Sequence, residues 1–303
     1  MRALQRRLEA PRPLREGVLV SGTVSLKILP EGYKAPRAPK APERLRLDLA
    51  RQMARTIHEH RLIAAGDRIL LAVSGGKDSY TLLDLLAEAQ KKSPIKFEIV
   101  AYHLDQAQPG YDGSSLRSWL EAFGRPFEIH REDTYSTVIA DAESTGARTY
   151  CRLCSRLRRG ILYAAAERLG CTSIALGHHR DDALETFLLN LLYAGRLQAM
   201  PAQYTTGDGR FKVIRPLIEC AEEDIAAWAQ HAAYPIIPCN LCGSQENLKR
   251  DAVASLLTEL ERQIPNVRSV MMAALGNVRP THLLDREVAE AWEKEAGNYD
   301  ERR

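Results

Sequence analysis

The chain has 303 residues, of which 45% are hydrophobic and 27% are charged, and its formal net charge is +3. This length suits one large domain or two smaller ones, and the composition is that of an ordinary globular protein. No stretch is apolar enough over a sufficient length to span a bilayer, and the N-terminus lacks the apolar segment of a secretory signal. We therefore expect a cytoplasmic protein without a membrane partner.

The N-terminal segment is basic and rich in proline. Residues 1–51 hold 12 Lys and Arg against 5 Asp and Glu, a balance of +7 that leaves −4 for the rest of the chain. The stretch "LPEGYKAPRAPKAPERLR" is typical of an extended linker. We predict a flexible basic arm and linker over residues 1–42, suited either to a polyanionic partner or to simple solvation.

Strands and helices alternate through the body of the chain. A helix is predicted from about Glu43 to Ile63. It is followed by the strand "RILLAVS", the helix "DSYTLLDLLAEAQ", the strand "FEIVAYHLD", the helix "SSLRSWLEAFG", the strand "PFEIHRE", the helix "CSRLRRGILYAAAERLG", the strand "TSIALGHH" and the helix "DDALETFLLNLLYAG". This order predicts an α/β fold with a parallel sheet covered by helices on both faces. We place this domain at residues 43–215 and a smaller, mainly helical part at residues 216–303.

The hexapeptide "SGGKDS" joins the first predicted strand to its helix. Its two glycines allow the backbone to approach a ligand closely, and the first N–H groups of the helix attract an anion. The spacing is not that of a Walker A loop, and the alternative is a simple Gly-Gly turn with a helix cap. We favour an anion site formed by Ser74, Gly75, Gly76, Lys77, Asp78 and Ser79.

This hexapeptide resembles the PP-loop signature of the ATP pyrophosphatases, which have the adenine nucleotide α-hydrolase fold. The resemblance implies that the loop holds the pyrophosphate part of ATP while the α-phosphate is attacked, which yields an adenylated substrate. It also implies that Lys77 and Asp78 take part in catalysis.

The stretch "GHHRDD" is expected at the carboxyl end of the fourth predicted strand. It resembles the same stretch in PP-loop proteins that modify tRNA, and we expect Gly177 and His178 to line the nucleotide pocket. Asp181 and Asp182 would bind Mg²⁺ or position the substrate base, although carboxylates in a first helical turn also serve as caps. Asp105 ends the second strand, where it either contacts adenosine or caps a turn.

Four of the six cysteines form two C-x-x-C pairs, "CRLC" (Cys151, Cys154) and "CNLC" (Cys239, Cys242). Two such pairs in a reducing compartment indicate a four-thiolate metal site, for which structural zinc is the simplest occupant. The other two cysteines, Cys171 and Cys220, are interpreted as core residues.

The segments "TYCRLCSRLRRGILY" and "YPIIPCNLCGSQENLKR" resemble the tRNA 2-thiocytidine synthetases, the tRNA-cytidine(32) 2-sulfurtransferases. The resemblance runs from about Arg44 to Leu284. It implies a 4Fe-4S cluster on Cys151, Cys154 and Cys242, with one iron left open to carry sulfide, and it leaves Cys239 as a relay or supporting thiol. Arginines that follow the first pair are expected either to contact RNA or to form a solvated helix face: Arg156, Arg158 and Arg159.

The family implies ATP-dependent thiolation of cytidine 32 in the tRNA anticodon loop, through an O-adenylated base, with ATP, Mg²⁺ and the cluster as cofactors. It also implies a sulfur donor such as a cysteine desulfurase, and a homodimer. Two alternatives stay open at this point. One is a lysidine synthetase, which shares the loop, and the other is a non-catalytic nucleotide sensor with structural zinc.

Overall fold

The computed structural model describes residues 40–145, 151–237 and 245–296. The strands in these ranges are β1 (Arg68–Ala72), β2 (Glu98–Asp105), β3 (Phe127–Arg131), β4 (Ser173–Ala175), β5 (Gln203–Thr205) and β6 (Lys212–Ile214). The helices are α1 (Pro42–Glu59), α2 (Lys77–Lys92), α3 (Ser114–Phe123), α4 (Thr134–Thr145), α5 (Cys151–Arg168), α6 (Arg180–Ala194), α7 (Glu222–His231), α8 (Gln245–Gln263), α9 (Val267–Leu275) and α10 (Arg286–Ala296). The basic arm predicted over residues 1–42 lies almost wholly outside the described residues.

The six strands form one sheet in the order β3-β2-β1-β4-β6-β5. Every neighbouring pair is parallel except β5 and β6, which form an antiparallel hairpin at one edge. The predicted α/β fold with a mainly parallel sheet is therefore confirmed. The strand order reverses between β1 and β4, and ligands of such sheets bind beyond the carboxyl ends of the strands at this point.

Three elements of the domain were not predicted from the sequence patterns. The strands β5 ("QYT") and β6 ("KVI") are three residues long and mix polar with apolar residues, whereas the equally short β4 lies in the apolar run "IAL". The helix α4 buries only Thr134, Val138 and Ala142, so its amphipathic pattern is weak. The predicted helix 43–63 ends early, at Glu59, because Arg61 adopts a left-handed φ of +49° that a helix cannot continue.

Alternate residues of β1 serve the two faces of the sheet, as the two-residue period of a strand requires. Ile69 and Leu71 join a core with residues of α1, α2 and α7, whereas Leu70 packs with Tyr102 and α5. Ile225 and Trp228 of α7 belong to the first of these cores. A segment after residue 215 thus completes one face of the sheet, and the predicted division at that residue stays a prediction.

The helices α8 and α9 pack on α6 rather than on the sheet. Their apolar contacts centre on Leu184, Leu188, Val253 and Leu257, which form a separate small cluster. Leu184 and Leu188 of α6 therefore attach the C-terminal helices α8 and α9 to the domain that contains the sheet. Among the helices of the described ranges, none has the length and apolar composition needed to cross a membrane.

Candidate ATP and sulfur-transfer site

The loop between β1 and α2 presents backbone N–H groups at the carboxyl edge of the sheet. Gly75 has a φ of +87°, a conformation that glycine adopts without strain, and Gly76 is the residue that caps α2. Within the described residues, the N–H groups of Gly75, Lys77 and Asp78 have no hydrogen-bond acceptor. These groups lie at the positive end of α2, so the loop has the geometry of an anion site.

The two serines of the loop hold its shape. The hydroxyl of Ser79 donates to the carbonyl of Gly76 at 2.9 Å and accepts from the N–H of Ser74 at 3.2 Å. Its side chain is buried, and its oxygen also lies 3.3 Å from the hydroxyl of Ser74. Ser79 therefore stabilises the closed shape of the loop without using the N–H groups of Gly75, Lys77 and Asp78.

Gly177 lies directly against the start of α2. A Cβ atom at this position would lie 3.0 Å from the carbonyl carbon of Asp78 and 3.0 Å from the nitrogen of Ser79. Both are backbone atoms that cannot rotate away. Only glycine lets the segment after β4 pass this close to the loop, and the predicted place of Gly177 in the nucleotide pocket stays a prediction.

Lys77 lies between two carboxylates. Its Nζ is 2.9 Å from Oε1 of Glu222 and 3.3 Å from Oδ1 of Asp78. Burial opposes the charge of Lys77, but attraction by Asp78 and Glu222 outweighs burial and raises the pKa of the lysine. Lys77 is therefore a protonated cation at the anion site, and Glu222 is a neighbour that no local sequence pattern indicated.

The carboxylate of Asp78 faces the second histidine of "GHHRDD". Its Oδ1 is buried, has no hydrogen-bond donor among the described residues and lies 3.8 Å from Nε2 of His179. Burial raises the pKa of Asp78, although Lys77 and His179 act in the opposite direction. This oxygen forms no hydrogen bond but lies 3.3 Å from Nζ of Lys77, so a metal ion bound there would share the carboxylate with the lysine.

His179 and Asp182 form a capping box at the start of α6. The backbone N–H of Asp182 donates to Nδ1 of His179 at 3.4 Å, and the N–H of His179 donates to Oδ2 of Asp182 at 3.0 Å. The same carboxylate oxygen lies 3.4 Å from Nε2 of His179. The box holds Asp182 near Asp78, because the two carboxylates lie 3.4 Å and 3.8 Å from the same nitrogen, Nε2 of His179.

Both carboxylate oxygens of Asp181 accept hydrogen bonds from other elements of the fold. Its Oδ1 accepts from Arg268 of α9 at 2.6 Å, and its Oδ2 accepts from the N–H of Glu222 at 2.9 Å, with the side chain almost fully buried. Burial opposes its ionisation, but the hydrogen bond from Glu222 and the charges of Arg180 and Arg268 outweigh burial and lower the pKa of Asp181. These contacts favour a role in fixing α7 and α9 against the site.

The first histidine of the stretch, His178, has a different environment. Its Nδ1 accepts a hydrogen bond of 3.1 Å from Nε of Arg215, a residue that directly follows β6 and is 7% exposed. Burial, reinforced by the charge of Arg215, lowers the pKa of His178 to about 4. His178 is therefore a neutral imidazole at the edge of the sheet where Gly177 meets the loop.

Asp105 and Gln106 follow β2 at the same edge. Asp105 accepts from the N–H of Ala107 at 2.8 Å and so caps the turn that begins there. The thiol of Cys154, in the first turn of α5, lies 3.5 Å from Oε1 of Gln106. Because β2 runs beside β1, this sulfur lies at the edge of the sheet that also carries the loop.

The other cysteines of the two C-x-x-C pairs lie at the border of the described residues or outside them. Cys151 is the first residue of α5, whereas Cys239 and Cys242 lie outside the described residues. The segment that leads to them is anchored at the site, because Ile237 donates its N–H to the carbonyl of Gly75 at 3.0 Å. Along α5 the predicted RNA contacts are all exposed to solvent: Arg156, Arg158 and Arg159.

No group of three His, Cys, Asp or Glu side chains within residues 40–145, 151–237 and 245–296 is arranged to hold a metal ion. Asp78 and Asp182 are two carboxylates that lie within 4 Å of the same nitrogen of His179, and Mg²⁺ is commonly bound by one or two carboxylates together with phosphate oxygens and water. The donor set therefore fits Mg²⁺ that arrives with ATP.

Comparison with known proteins gives consistent matches. Residues 45–237 match the PP-loop domain family. The tRNA-cytidine(32) 2-sulfurtransferase of Sorangium cellulosum is 54% identical over 241 residues, which cover 80% of this chain and 84% of that protein. The same enzyme of Paracidovorax citrulli is 49% identical over 249 residues, 82% of this chain and 80% of that protein.

One solved structure extends the comparison to the fold. The U34-tRNA thiolase NcsA from Methanococcus maripaludis, solved with its 4Fe-4S cluster, superposes with a TM-score of 0.60 at 20% identity. The match covers 79% of this chain and 82% of that chain. It shows a shared fold.

Proposed function

Because the chain belongs to the tRNA-cytidine(32) 2-sulfurtransferase family, we propose that it uses ATP to replace the 2-oxygen of cytidine 32 in tRNA by sulfur. The observation that carries this proposal is the pairing of an ATP loop with a cysteine sulfur at one sheet edge. The unpaired N–H groups and Lys77 face that edge, and Cys154 lies there beside Gln106. The cysteine motifs resemble those of the family, and neither rival function needs this pairing.

In the proposed reaction the loop binds the phosphates of ATP. The N–H groups of Gly75, Lys77 and Asp78 donate to phosphate oxygens, and Ser74, Gly76 and Ser79 maintain the loop. Lys77 neutralises charge as pyrophosphate leaves, and Asp78 and Asp182 bind Mg²⁺ through carboxylate oxygens. Asp105 and Gly177 line the pocket, and His178 lies at its edge.

The chemistry has two displacements. The oxygen on C2 of cytosine attacks the α-phosphorus of ATP, which forms an O-adenylate and releases pyrophosphate. A sulfur nucleophile then bonds to C2 and the C2–O bond breaks, so that AMP departs. Adenylation is needed because the unmodified oxygen is a poor leaving group. The base must be unstacked to enter the site, as is feasible in a single-stranded anticodon loop.

The cysteines would hold the sulfur-transfer group. A 4Fe-4S cluster on Cys151, Cys154 and Cys242, when bound, would supply iron with one coordination position open to sulfur. The position of Cys154 and the anchoring of Ile237 at Gly75 support this assignment. Cys239 would then be a relay or supporting thiol.

The substrate partner is tRNA, and the exposed arginines of α5 are proposed to contact its phosphates or bases. We also propose a sulfur donor such as a cysteine desulfurase, a homodimer, and a cytoplasmic location. A role for the basic arm in tRNA affinity would show as salt-sensitive binding.

The decisive experiment is mass spectrometry of tRNA nucleosides from cells that lack the gene. We expect 2-thiocytidine to be absent and to return when the wild-type gene is supplied. A lysidine deficiency in its place would show a different modification enzyme, and unchanged nucleosides would contradict the proposal.

Metal analysis tests the cysteine assignment. Protein purified without oxygen is expected to hold about four irons per chain. Cys242→Ala should lose both iron and thiolation, whereas Cys239→Ala should keep the cluster and some activity. Equal loss of iron in the two variants would overturn the three-cysteine assignment, and one zinc per chain would indicate a structural site.

A further inference from the structure

Arg215 is held rigidly between the end of β6 and the site. Its Nη1 donates to the carbonyl of Pro201 at 2.8 Å, its backbone N–H donates to the carbonyl of Ala202 at 2.8 Å, and its guanidinium lies 5.2 Å from the ring centre of Tyr204. Its Nε donates a hydrogen bond of 3.1 Å to Nδ1 of His178. A buried, fixed arginine therefore faces one nitrogen of the imidazole.

This contact determines the tautomer of His178. A guanidinium has N–H donors and no acceptor, so Nδ1 must accept with its lone pair and the ring proton must be on Nε2. Within the described residues, Nε2 has no hydrogen-bond partner. The titratable groups near the ring are Arg215, Asp182 and His179, together with Arg250 of α8. Burial and Arg215 keep the imidazole neutral.

We propose that Arg215 is a positioning residue that fixes His178 as an Nε2–H donor, and that this donor binds N3 of the target cytosine. The proposal rests on the proposed function and names the group that reads the base. N3 of cytosine is a bare acceptor, whereas N3 of uracil carries a proton. A donor of fixed tautomer accepts cytosine and opposes uracil, which explains how one enzyme could select cytidine.

The environment favours the base over the phosphates of ATP as the partner of His178. The phosphate site already has a protonated lysine and free N–H groups, which an anion prefers. A neutral imidazole adds little to an anion site, and the positive charge of Arg215 suppresses the imidazolium that would add more. A neutral donor instead suits an uncharged ring nitrogen.

Binding of altered RNA tests the contact at one atom. The probe is an anticodon stem-loop RNA with cytidine at position 32, compared with the same RNA carrying 3-deazacytidine, in which C–H replaces N3. The full-length, cluster-containing enzyme should bind the deaza RNA about three- to tenfold more weakly, the range of one neutral hydrogen bond. His178→Phe should bind both RNAs with equal affinity.

The proposal is overturned when His178→Phe still prefers cytidine over 3-deazacytidine by the wild-type factor. If this variant also binds ATP at least tenfold more weakly, His178 is assigned to ATP.

Nitrogen NMR of histidine-labelled enzyme tests the role of Arg215. The chain has eight histidines, and the resonance missing from His178→Phe identifies the one of interest. The wild type should show an unprotonated Nδ1 and a protonated Nε2 from pH 5 to 8, whereas Arg215→Met should show mixed tautomers and a protonation step in this range. If Arg215→Met does not fold, the wild-type spectrum alone decides, because a proton on Nδ1 overturns the proposal. Failure of either test leaves 2-thiocytidine formation itself intact.

Discussion

Replacement of Gly177 by alanine tests whether close packing of β4 on α2 shapes the ATP loop. The new Cβ would lie 3.0 Å from two backbone atoms at the start of α2, whereas ordinary contacts begin at 3.4 Å. The loop and the strand must therefore separate by at least about 0.4 Å. Overpacking of this kind lowers the free energy of unfolding by about 1–3 kcal/mol. For a chain of 303 residues the melting temperature should fall by roughly 2–5 °C.

The displaced atoms belong to the residues that bind phosphate, so ATP affinity should fall more than stability alone suggests. Loss of one charge-assisted hydrogen bond predicts about a tenfold or greater rise in the Kd of ATP. Calorimetric titration with Mg·ATP and thermal unfolding, both on the cluster-containing enzyme, measure the two effects. Gly207→Ala is the matched control, because a Cβ there meets nothing within 4 Å. Wild-type ATP affinity in Gly177→Ala, or equal losses in both variants, would refute the reasoning.

Two further substitutions probe the charges around the loop. Glu222→Gln removes a carboxylate that competes with phosphate for Lys77. We therefore expect ATP to bind about two- to fivefold more tightly at low salt, and we expect this gain to shrink at high salt. Weaker binding in calorimetry would instead show that Glu222 holds Lys77 in place. Arg268→Met leaves the buried Asp181 without its closest positive partner, and denaturant unfolding at pH 7 should show a loss of about 3 kcal/mol. The native pKa of Asp181 lies below its ordinary value of 3.8, so the ionised carboxylate stabilises the fold above pH 3.8, and this stabilisation is lost as the pH falls through the native pKa. The free energies of unfolding of the wild type and of Arg268→Met should therefore converge in acid. A stability difference between the wild type and Arg268→Met that stays constant down to pH 3 would contradict the ion pair of Asp181 with Arg268 as its cause.

Local sequence was sufficient for the architecture of the domain. The apolar run of β1 and the glycines that follow it are local features of the chain, so strand, loop and helix were predicted together. The strands β5 and β6 were missed because their three residues mix polar and apolar types, whereas the equally short β4 lies in an apolar run. For "GHHRDD" the sequence offered a capping role for the aspartates as one alternative, and the structure shows a capping box between His179 and Asp182.

The partners of the site residues were decided by the tertiary structure. Glu222 reaches Lys77, and Arg215 reaches His178, across long separations in sequence, and each appeared in the chain as an ordinary charged residue. Their roles follow from how α7 packs on α2 and how β6 pairs with β4. The hydrogen bonds within a helix and the hydrophobic period of a segment involve residues close in sequence, so they determine where helices and strands form. Contacts between distant side chains depend on the packing of complete elements, which no local pattern specifies.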